Sequence, residues 1–251
     1  MQHIAQIMDN FDFITLPEME AEMLMRRFDY KFKFPIGNLP DILKNVSRDY
    51  KVLDINNIRL HKYESLYFDT DDFLLYTQHH RILRKRYKIR FRRYADSGIT
   101  FFEIKTKTNK EFIIKERIKQ KFIDPVLNDE TGGFIFDKTN MNQDIFTPKL
   151  WVYYSRMTLV NRKDEERITI DLNPVMKIEG RNQTVAFPSL VIGEVKQRKY
   201  FRSPFVAEMR KNHIPKVSIS KYCVGISCLQ EGVKKNRFNY NLSTLNNNYH
   251  E

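Results

Sequence analysis

The sequence has few of the features that stabilise or anchor proteins outside the cytoplasm. Its two cysteines, Cys223 and Cys228, lack the partners of a zinc site and are too few for a disulfide framework. No stretch approaches the ~20 apolar residues that a membrane helix needs, and the N-terminus has no basic segment followed by an apolar run, as a signal peptide would. We therefore expect a soluble, cytoplasmic protein with no membrane segment in this chain.

Glycine-rich phosphate-binding loops are also missing. The chain contains neither GxxxxGK[ST] nor GxGxxG, so a nucleotide is not held by a P-loop or by a kinase glycine-rich loop. His79 and His80 are adjacent, a spacing that does not suit a metal pair on a helix or on a strand. No Ser/His/Asp arrangement stands out, which leaves charged side chains as the candidates for binding and chemistry.

Positive charge is what the sequence has in excess, and it is concentrated in one stretch. The formal net charge is +12 for 251 residues. Between residues 81 and 121 there are 15 Lys and Arg against 4 Asp and Glu. Because a basic surface that served solubility alone would be more even, this local excess indicates an anionic ligand bound at one place.

Residues 87–119 are predicted to form three consecutive strands with charge on one side. The alternating charged residues are Lys88, Arg90 and Arg92 in the first strand, Glu103, Lys105 and Lys107 in the second, and Lys115, Arg117 and Lys119 in the third. Successive strand residues point to opposite faces, so one face of the sheet carries almost only cations. Since a row of like charges repels itself, we expect an anion against this face, and polyphosphate is the first candidate.

Similar alternation elsewhere predicts the fold class. Strands are expected at 27–34, 60–70, 151–160, 167–172 and 190–198, and helical segments at 38–48, 71–80, 203–212 and 218–229. We predict an α+β fold, an antiparallel eight-stranded β-barrel tunnel with inward charged faces and with helices packed on the outside. Residues 1–26 are expected to be an N-terminal helical lead-in, 27–229 the tunnel domain, and 230–251 a basic, Asn-rich tail. Within the tunnel domain, 128–143 is expected to be a surface excursion, with a helix at its end left open.

Phosphoryl transfer is the chemistry that such a face would serve, because it needs fixed cations around phosphate oxygens and a divalent metal. The candidate cations are Lys31, Arg90, Arg92, Lys105, Lys115, Arg117, Arg156, Arg167, Lys196 and Lys221. The inward acids Glu103, Asp171 and Glu194 are candidates for metal ligands or for orienting the cations. One carboxylate is enough for Mg²⁺ or Mn²⁺ when substrate phosphates supply other oxygens.

Two other interpretations stay open at this point. The charges could form solvated outer faces of an ordinary sheet. The interleaved basic and aromatic residues of KIRFRRY could also bind nucleic acid by stacking. In that segment, however, the aromatic residues have the opposite parity to the cations, which favours a core role for them, and we expect no nucleic acid.

The ordered motifs resemble those of VTC-domain proteins in the triphosphate tunnel metalloenzyme (CYTH-like) superfamily, most of all bacterial stand-alone polyphosphate polymerase domains. The matching segments are ITLPEMEAEMLMRRFDYKF, YESLYFDT, RYKIRFRRY, FFEIKTKTNK, YYSRMTLV, ERITIDLN, GEVKQ and SISKYCVGI. The resemblance implies a tunnel that binds a triphosphate or polyphosphate lengthwise. The superfamily's opening E-x-E-x-K pattern is reduced to Asp29-Tyr30-Lys31 here.

The resemblance and the alternation together give each residue an expected role. The expected catalytic residues are Arg90, Arg92, Lys105, Arg156 and Arg167; the phosphate-binding residues are Lys31, Lys115, Arg117, Tyr154, Lys196, Ser220 and Lys221; the metal ligand is Glu194, holding Mn²⁺ or Mg²⁺. The implied activity is a polyphosphate polymerase that transfers the γ-phosphate of ATP to a growing polyphosphate chain, so the expected partners are ATP and inorganic polyphosphate. The alternatives are an inorganic triphosphatase or nucleoside triphosphatase on the same tunnel, or a non-catalytic module that binds polyphosphate or nucleic acid.

Overall fold

The computed structural model describes residues 2–21, 28–108, 113–198 and 202–238, and within these ranges the chain forms seven α-helices and eleven β-strands. The helices are α1 (Gln2–Met8), α2 (Leu16–Ala21), α3 (Leu39–Val46), α4 (Leu74–His80), α5 (Asp129–Thr139), α6 (Pro204–Lys211) and α7 (Lys221–Leu229). The strands are β1 (Phe13–Ile14), β2 (Phe28–Pro35), β3 (Tyr50–Leu53), β4 (His61–Asp69), β5 (Arg86–Tyr94), β6 (Thr100–Lys107), β7 (Ile113–Gln120), β8 (Thr147–Asn161), β9 (Glu166–Ile178), β10 (Thr184–Ala186) and β11 (Leu190–Gln197).

Eight of the strands form one antiparallel sheet in the order β2-β11-β9-β8-β4-β5-β6-β7. β3 and β10 extend the sheet by pairing with β8 and β9, and β1 pairs in parallel with β3. The α+β class and the large antiparallel sheet predicted from the sequence are therefore confirmed. In the described residues the end strands β2 and β7 do not pair with each other, so the sheet is open and the expected closed barrel is not observed.

The sheet nevertheless curls strongly. Lys31 on β2 donates a hydrogen bond from Nζ to the carbonyl of Ile219 at 3.1 Å, and Lys88 on β5 donates to Oγ of the next residue, Ser220, at 2.9 Å. β2 and β5 are five positions apart in the strand order, a separation of about 24 Å in a flat sheet. Two such strands reach consecutive residues only if the sheet bends round, so it has a concave face and a convex face.

The convex face carries the largest hydrophobic cluster, in which apolar side chains of β2, β8, β9 and β11 pack on α3 and α6. The buried residues of α3 are Leu39, Ile42, Leu43 and Val46. They recur at helical spacing and give the helix one apolar side. α6 begins after Ser203, whose hydroxyl accepts a hydrogen bond from the amide of Val206 at 3.1 Å. Both helices lie within the segments that the sequence predicts as helical.

Residues 128–143 differ from the expected surface excursion, because α5 occupies most of them. Asn128 accepts a hydrogen bond from the amide of Thr131 at 3.0 Å, and the Thr131 hydroxyl accepts one from the amide of Asn128 at 2.9 Å. This reciprocal capping box begins the helix. Ile135 is fully buried in the cluster that contains Phe91 and Phe102 of β5 and β6, so α5 also covers the convex face.

α7 lies on the concave face, whereas helices were expected only on the outside. The ring of Tyr222 stacks on that of Tyr67, with centroids 5.1 Å apart, and Tyr67 is paired with Arg90 on the cationic side of β5. A Cβ atom on Gly225 would lie 2.5 Å from Cδ2 of Leu150, so the helix approaches β8 as closely as only glycine permits. α7 therefore fills the apolar end of the concave face.

A buried carboxylate fixes α7 to α4. Asp69, at the end of β4, accepts hydrogen bonds from the amides of Leu75 at 2.7 Å and Tyr76 at 2.8 Å, and from the hydroxyl of Tyr222 at 2.5 Å. Burial raises the pKa of Asp69, although these donors act in the opposite direction. The contact explains why α7 has a defined position against the sheet.

The two ends of the chain are described in part. Residues 1 and 22–26 of the expected lead-in lie outside the described residues, as do residue 27 and, in the expected tail, residues 239–251. The start of that tail contacts α4: the rings of Phe238 and Tyr76 have centroids 5.6 Å apart, and Oδ1 of Asn236 lies 2.6 Å from Nε2 of His80. None of the helices in the described ranges has the length and apolar character to cross a membrane.

Candidate functional site

The register of β5, β6 and β7 confirms that their charged side chains share one face. They form three cross-strand rows: Lys88–Lys105–Lys115, Arg90–Glu103–Arg117 and Arg92–Phe101–Lys119. The neighbouring residues of opposite parity, such as Phe91, Phe102 and Ile104, are buried under α5. The alternation read from the sequence therefore separates a cationic concave face from an apolar convex face.

The strands at the other end of the order contribute charges to the same face. Lys31 of β2 pairs with Glu194 of β11, and Lys196 pairs with Arg167 of β9. The curl of the sheet brings these residues near β6, because Lys31 and Glu194 both interact electrostatically with Lys105. The predicted site residues thus come from seven strands and from the start of α7.

Glu103 is the centre of one charge cluster. Its Oε2 accepts hydrogen bonds from Nε and Nη2 of Arg90 at 2.9 and 2.7 Å, and lies 3.9 Å from Nη1 of Arg92. Its Oε1 forms an ion pair with Lys115. Burial alone would raise the pKa of this carboxyl, which is 1% exposed, but the surrounding cations Arg90, Arg92 and Lys115 lower it below its usual range. Glu103 is therefore ionised and orients three cations.

Asp171 is the centre of a second charge cluster. Arg156 donates to its two carboxylate oxygens from Nε at 2.5 Å and from Nη2 at 2.9 Å, and Lys221 at the start of α7 also donates to it. Burial again works to raise the pKa of Asp171, and the two cations outweigh it. This bidentate pair holds Arg156 in one orientation.

Glu194 differs from the other two inward acids, because among the described residues no cation lies so close to it. Its nearest ion-pair contact is Lys196 at 3.7 Å, and its side chain is 16% exposed. Burial works to raise its pKa, but Lys196, Lys31 and Lys105 hold it well below the usual range. The described residues contain no cluster of three or more His, Cys, Asp or Glu. Glu194 fits a divalent cation that takes its other ligands from phosphate oxygens and water.

Two lysines of the site are held in an environment that disfavours their charged forms. Burial, and then the neighbouring Lys31 and Lys88, lower the pKa of Lys105 to about 7. Partial burial lowers the pKa of Lys115 to about 8, against the effect of its ion pair with Glu103. Lysines crowded in this way gain most from an anion placed between them.

Aromatic rings lie among the cations, contrary to the parity argument made for KIRFRRY. The guanidinium of Arg90 lies 5.5 Å from the ring centroid of Tyr67. That of Arg156 lies 5.0 Å from Tyr63 and 5.2 Å from Tyr154. Tyr67 also accepts a hydrogen bond from Nη1 of Arg90 at 2.7 Å. Burial would raise the pKa of Tyr67, but the neighbouring cations lower it to about 8.

The other residues predicted for the site lie around the Glu103 and Asp171 clusters. Arg167 donates from Nη2 to the carbonyl of Met19 on α2 at 2.8 Å, and Arg117 is on the exposed strand β7. Ser220 caps α7, since its Oγ accepts from the amide of Cys223 at 3.4 Å. Its hydroxyl proton is still available to a phosphate. The buried hydroxyl of Tyr154 has no hydrogen-bond partner in the described part of the chain, which suits a ligand contact.

One cation of the site was missing from the expected set. Lys88 is partly buried next to α7, where its Nζ donates a hydrogen bond to Ser220; burial lowers its pKa, as does its proximity to Lys31. Its parity, the same as that of Arg90, is a signal in the sequence that could have identified it. The hydrogen bond to Ser220 could not have been foreseen, because it depends on where α7 lies.

Several solved structures are similar to this chain at low identity. A protein from Bacillus halodurans, provisionally named an adenylate cyclase, is 12% identical with a TM-score of 0.46, covering 78% of this chain and 94% of that one. A protein from Hippeastrum, provisionally named an adenylyl cyclase and described as having a dominant triphosphatase activity, is 15% identical with a TM-score of 0.44, covering 83% and 98%. A conserved hypothetical protein from Pyrococcus furiosus is 13% identical with a TM-score of 0.35, covering 74% and 87%.

The family comparison is more specific. No curated protein matches the chain, but the family model of the VTC domain matches residues 26–230. That range includes the whole eight-stranded sheet, the cationic concave face and α7. The chain therefore belongs to the VTC domain family.

Proposed function

We propose that the protein is a metal-dependent polyphosphate polymerase, which transfers the γ-phosphate of ATP to the end of a polyphosphate chain. One observation carries the proposal: cations from both ends of the curled sheet converge on one face with too few acids to neutralise them. The pKa of Lys105, depressed by burial and by the neighbouring Lys31 and Lys88, supports it, because an anion placed there would favour the charged form of this lysine. The ligand would lie lengthwise in a tunnel walled by the concave face.

The proposed roles follow from the contacts. Glu103 and Asp171 are paired with cations, so they would position arginines and lysines and would not bind metal. Glu194 would hold Mn²⁺ or Mg²⁺, which when bound would neutralise phosphate oxygens during transfer. The residues proposed to stabilise charge on the transferred group are Arg90, Arg92, Lys105, Arg156 and Arg167. The residues proposed to hold the other phosphates are Lys31, Lys115, Arg117, Tyr154, Lys196, Ser220 and Lys221.

The reaction asks for little covalent chemistry from the protein. A terminal oxygen of the acceptor chain forms the new bond to the γ-phosphorus, while the bond from that phosphorus to the bridging β–γ oxygen breaks, and ADP leaves. Arg156 is held by a bidentate pair with Asp171, and Arg90 by two hydrogen bonds to Oε2 of Glu103, so neither needs reorganisation as charge develops. We also infer that the reaction takes place in the cytoplasm.

A triphosphatase is the second candidate, because the face is accessible to water on one side. The inward residues of β7 are solvent-exposed, and the Lys115 side chain, in the row of Lys88 and Lys105, is 34% exposed. Water could reach a γ-phosphate there, and the same cations would stabilise its transfer.

The proposal is tested by incubating the purified protein with ATP and Mn²⁺ and resolving the products by size on a gel stained for polyphosphate. A ladder of long chains with ADP is expected. Free phosphate without chains would favour the triphosphatase. Neither product, together with tight retention of added polyphosphate that an oligonucleotide does not displace, would leave a binding module.

Variants link the activity to the site. Arg90→Ala and Glu194→Ala should each abolish turnover while circular dichroism shows the fold unchanged. Arg93→Ala is the matched control, because Arg93 is on the same strand, has the opposite parity to Arg90 and lies 3.7 Å from Glu64. Full turnover in both site variants would refute the mechanism.

A further inference from the structure

We propose that Phe101, backed by Arg117 and Tyr94, is a stacking platform for the base of the nucleoside triphosphate donor. The inference rests on the proposed function and adds a binding site for the nucleoside to a face that otherwise binds phosphate. It identifies the residue that would distinguish ATP from inorganic tripolyphosphate.

The position of Phe101 is not that of a hydrophobic-core residue. It stands in the row Arg92–Phe101–Lys119 on the cationic face, whereas the next residue, Phe102, is fully buried on the convex face. Within the described residues, Phe101 belongs to none of the hydrophobic clusters. Its ring is partly exposed. A core role therefore does not explain an aromatic side chain at this position.

Two neighbours complete a surface suited to a planar ligand. The guanidinium of Arg117 lies 4.2 Å from the ring centroid of Phe101. The ring of Tyr94 meets Phe101 edge-on, with centroids 6.0 Å apart and an interplanar angle of 88°. Aromatic rings with an arginine beside them bind nucleobases by stacking and cation–π contact.

The position of α7 determines the direction in which a nucleotide lies. α7 fills the apolar end of the concave face, where Gly225 meets Leu150 and Met176. Within the described ranges, this leaves the opposite end, towards Arg92 and Phe101, for a nucleoside. The terminal phosphate would lie near the N-terminus of α7, beside Lys88 and Lys105.

The spacing of the rows fits a nucleoside triphosphate. Lys105 and Phe101 are four residues apart on β6, about 13 Å along the strand. The row of Arg90 and Glu103 lies between them. Three phosphates and a ribose can bridge this interval, with the γ-phosphate at Lys105 and the base at Phe101. Because stacking does not read hydrogen-bonding edges, discrimination between purine bases should be weak.

The test compares ATP with tripolyphosphate by isothermal titration calorimetry, with the full chain and a chelator to prevent turnover. Phe101→Ala should weaken ATP binding by about 5- to 100-fold, the effect of losing one base–aromatic stack, and leave tripolyphosphate binding unchanged. Phe122→Ala is the matched control, since Phe122 is 61% exposed just after β7 and should affect neither ligand. In addition, Phe101→Trp should give a fluorescence change with ATP and none with tripolyphosphate, measured against the single natural tryptophan, Trp151.

The outcomes separate the two proposals. Equal weakening of both ligands in Phe101→Ala would mean that Phe101 only supports the phosphate site, and the platform would be wrong. Unchanged ATP binding by Phe101→Ala would also overturn the platform and leave the phosphate site intact. The same holds if wild-type protein binds tripolyphosphate but not ATP. Wild-type protein that binds neither ligand would overturn the proposed function as well.

Discussion

The depressed pKa of Lys105 predicts that anion binding takes up a proton. In the ligand-free protein this pKa is about 7, so the side chain is close to half charged at neutral pH. A phosphate placed beside it favours the charged form and raises the pKa in the complex. The affinity for a phosphate ligand should therefore be highest at low pH and fall as the pH rises through 7 and above, as long as Lys105 stays protonated in the complex.

The expected change in affinity follows from the titration of Lys105 alone. Between pH 7 and pH 9 the protonated fraction of the free Lys105 falls by about 50-fold, so binding of tripolyphosphate should weaken by up to about 50-fold, or ~2.3 kcal/mol. At pH 7, binding should take up about half a proton at this site. Calorimetry in two buffers of different ionisation enthalpy measures that uptake directly.

Lys105→Arg isolates this group from the titration of the ligand. A guanidinium stays charged at every pH used, so the ratio of wild-type to variant affinity should fall between pH 7 and pH 9, and the ligand's own titration cancels. Lys107→Arg, on the same strand and face, should keep the wild-type profile. If wild-type protein and Lys105→Arg show the same pH dependence, the reasoning about Lys105 is refuted.

Two further predictions concern stability, measured by urea unfolding. Glu103→Gln removes a buried carboxylate that is paired with cations, so it should lower the free energy of unfolding of the ligand-free protein by about 3–5 kcal/mol. Tripolyphosphate should restore part of the lost stability. An unchanged urea midpoint without ligand would contradict this prediction. Gly225→Ala should destabilise by about 1–3 kcal/mol, because the new Cβ would lie 2.5 Å from Leu150, itself fully buried. Gly133→Ala on α5 is the control, because nothing lies within 4 Å of its added Cβ. Its stability should rise by up to ~1 kcal/mol from helix propensity. Equal losses of stability in Gly225→Ala and Gly133→Ala would remove the argument for close packing of α7.

The charged face could be predicted because side-chain parity within a strand is a local property. The alternation around Arg90, Glu103 and Arg117 places these residues on one face whatever the neighbouring strands are, and the observed register aligns them in one row. The pairing of Lys31 with Glu194 at the other end of the sheet follows the same rule.

What could not be predicted depends on contacts between distant segments. Lys88 meets Ser220 only because the sheet curls and α7 enters the concave face. The aromatic residues among the cations were misjudged because the parity argument considered β5 alone and overlooked Tyr94, which has the parity of Arg90; Tyr63 and Tyr154 come from β4 and β8. α5 was read as an excursion because it has few apolar residues, although the capping pair of Asn128 and Thr131 was present in the sequence.

The exposure of β7 affects how two copies of the protein can associate. β7 is an end strand of the sheet, and Ile113 and Ile114 on it are 44% and 47% exposed. Such an edge invites a second copy to add its own strand, the usual route to aggregation. Two β7 strands placed side by side would, however, bring Lys115, Arg117 and Lys119 of one copy against those of the other, and like charges across a strand pair are destabilising. We therefore expect the cations on β7 to disfavour aggregation through this edge.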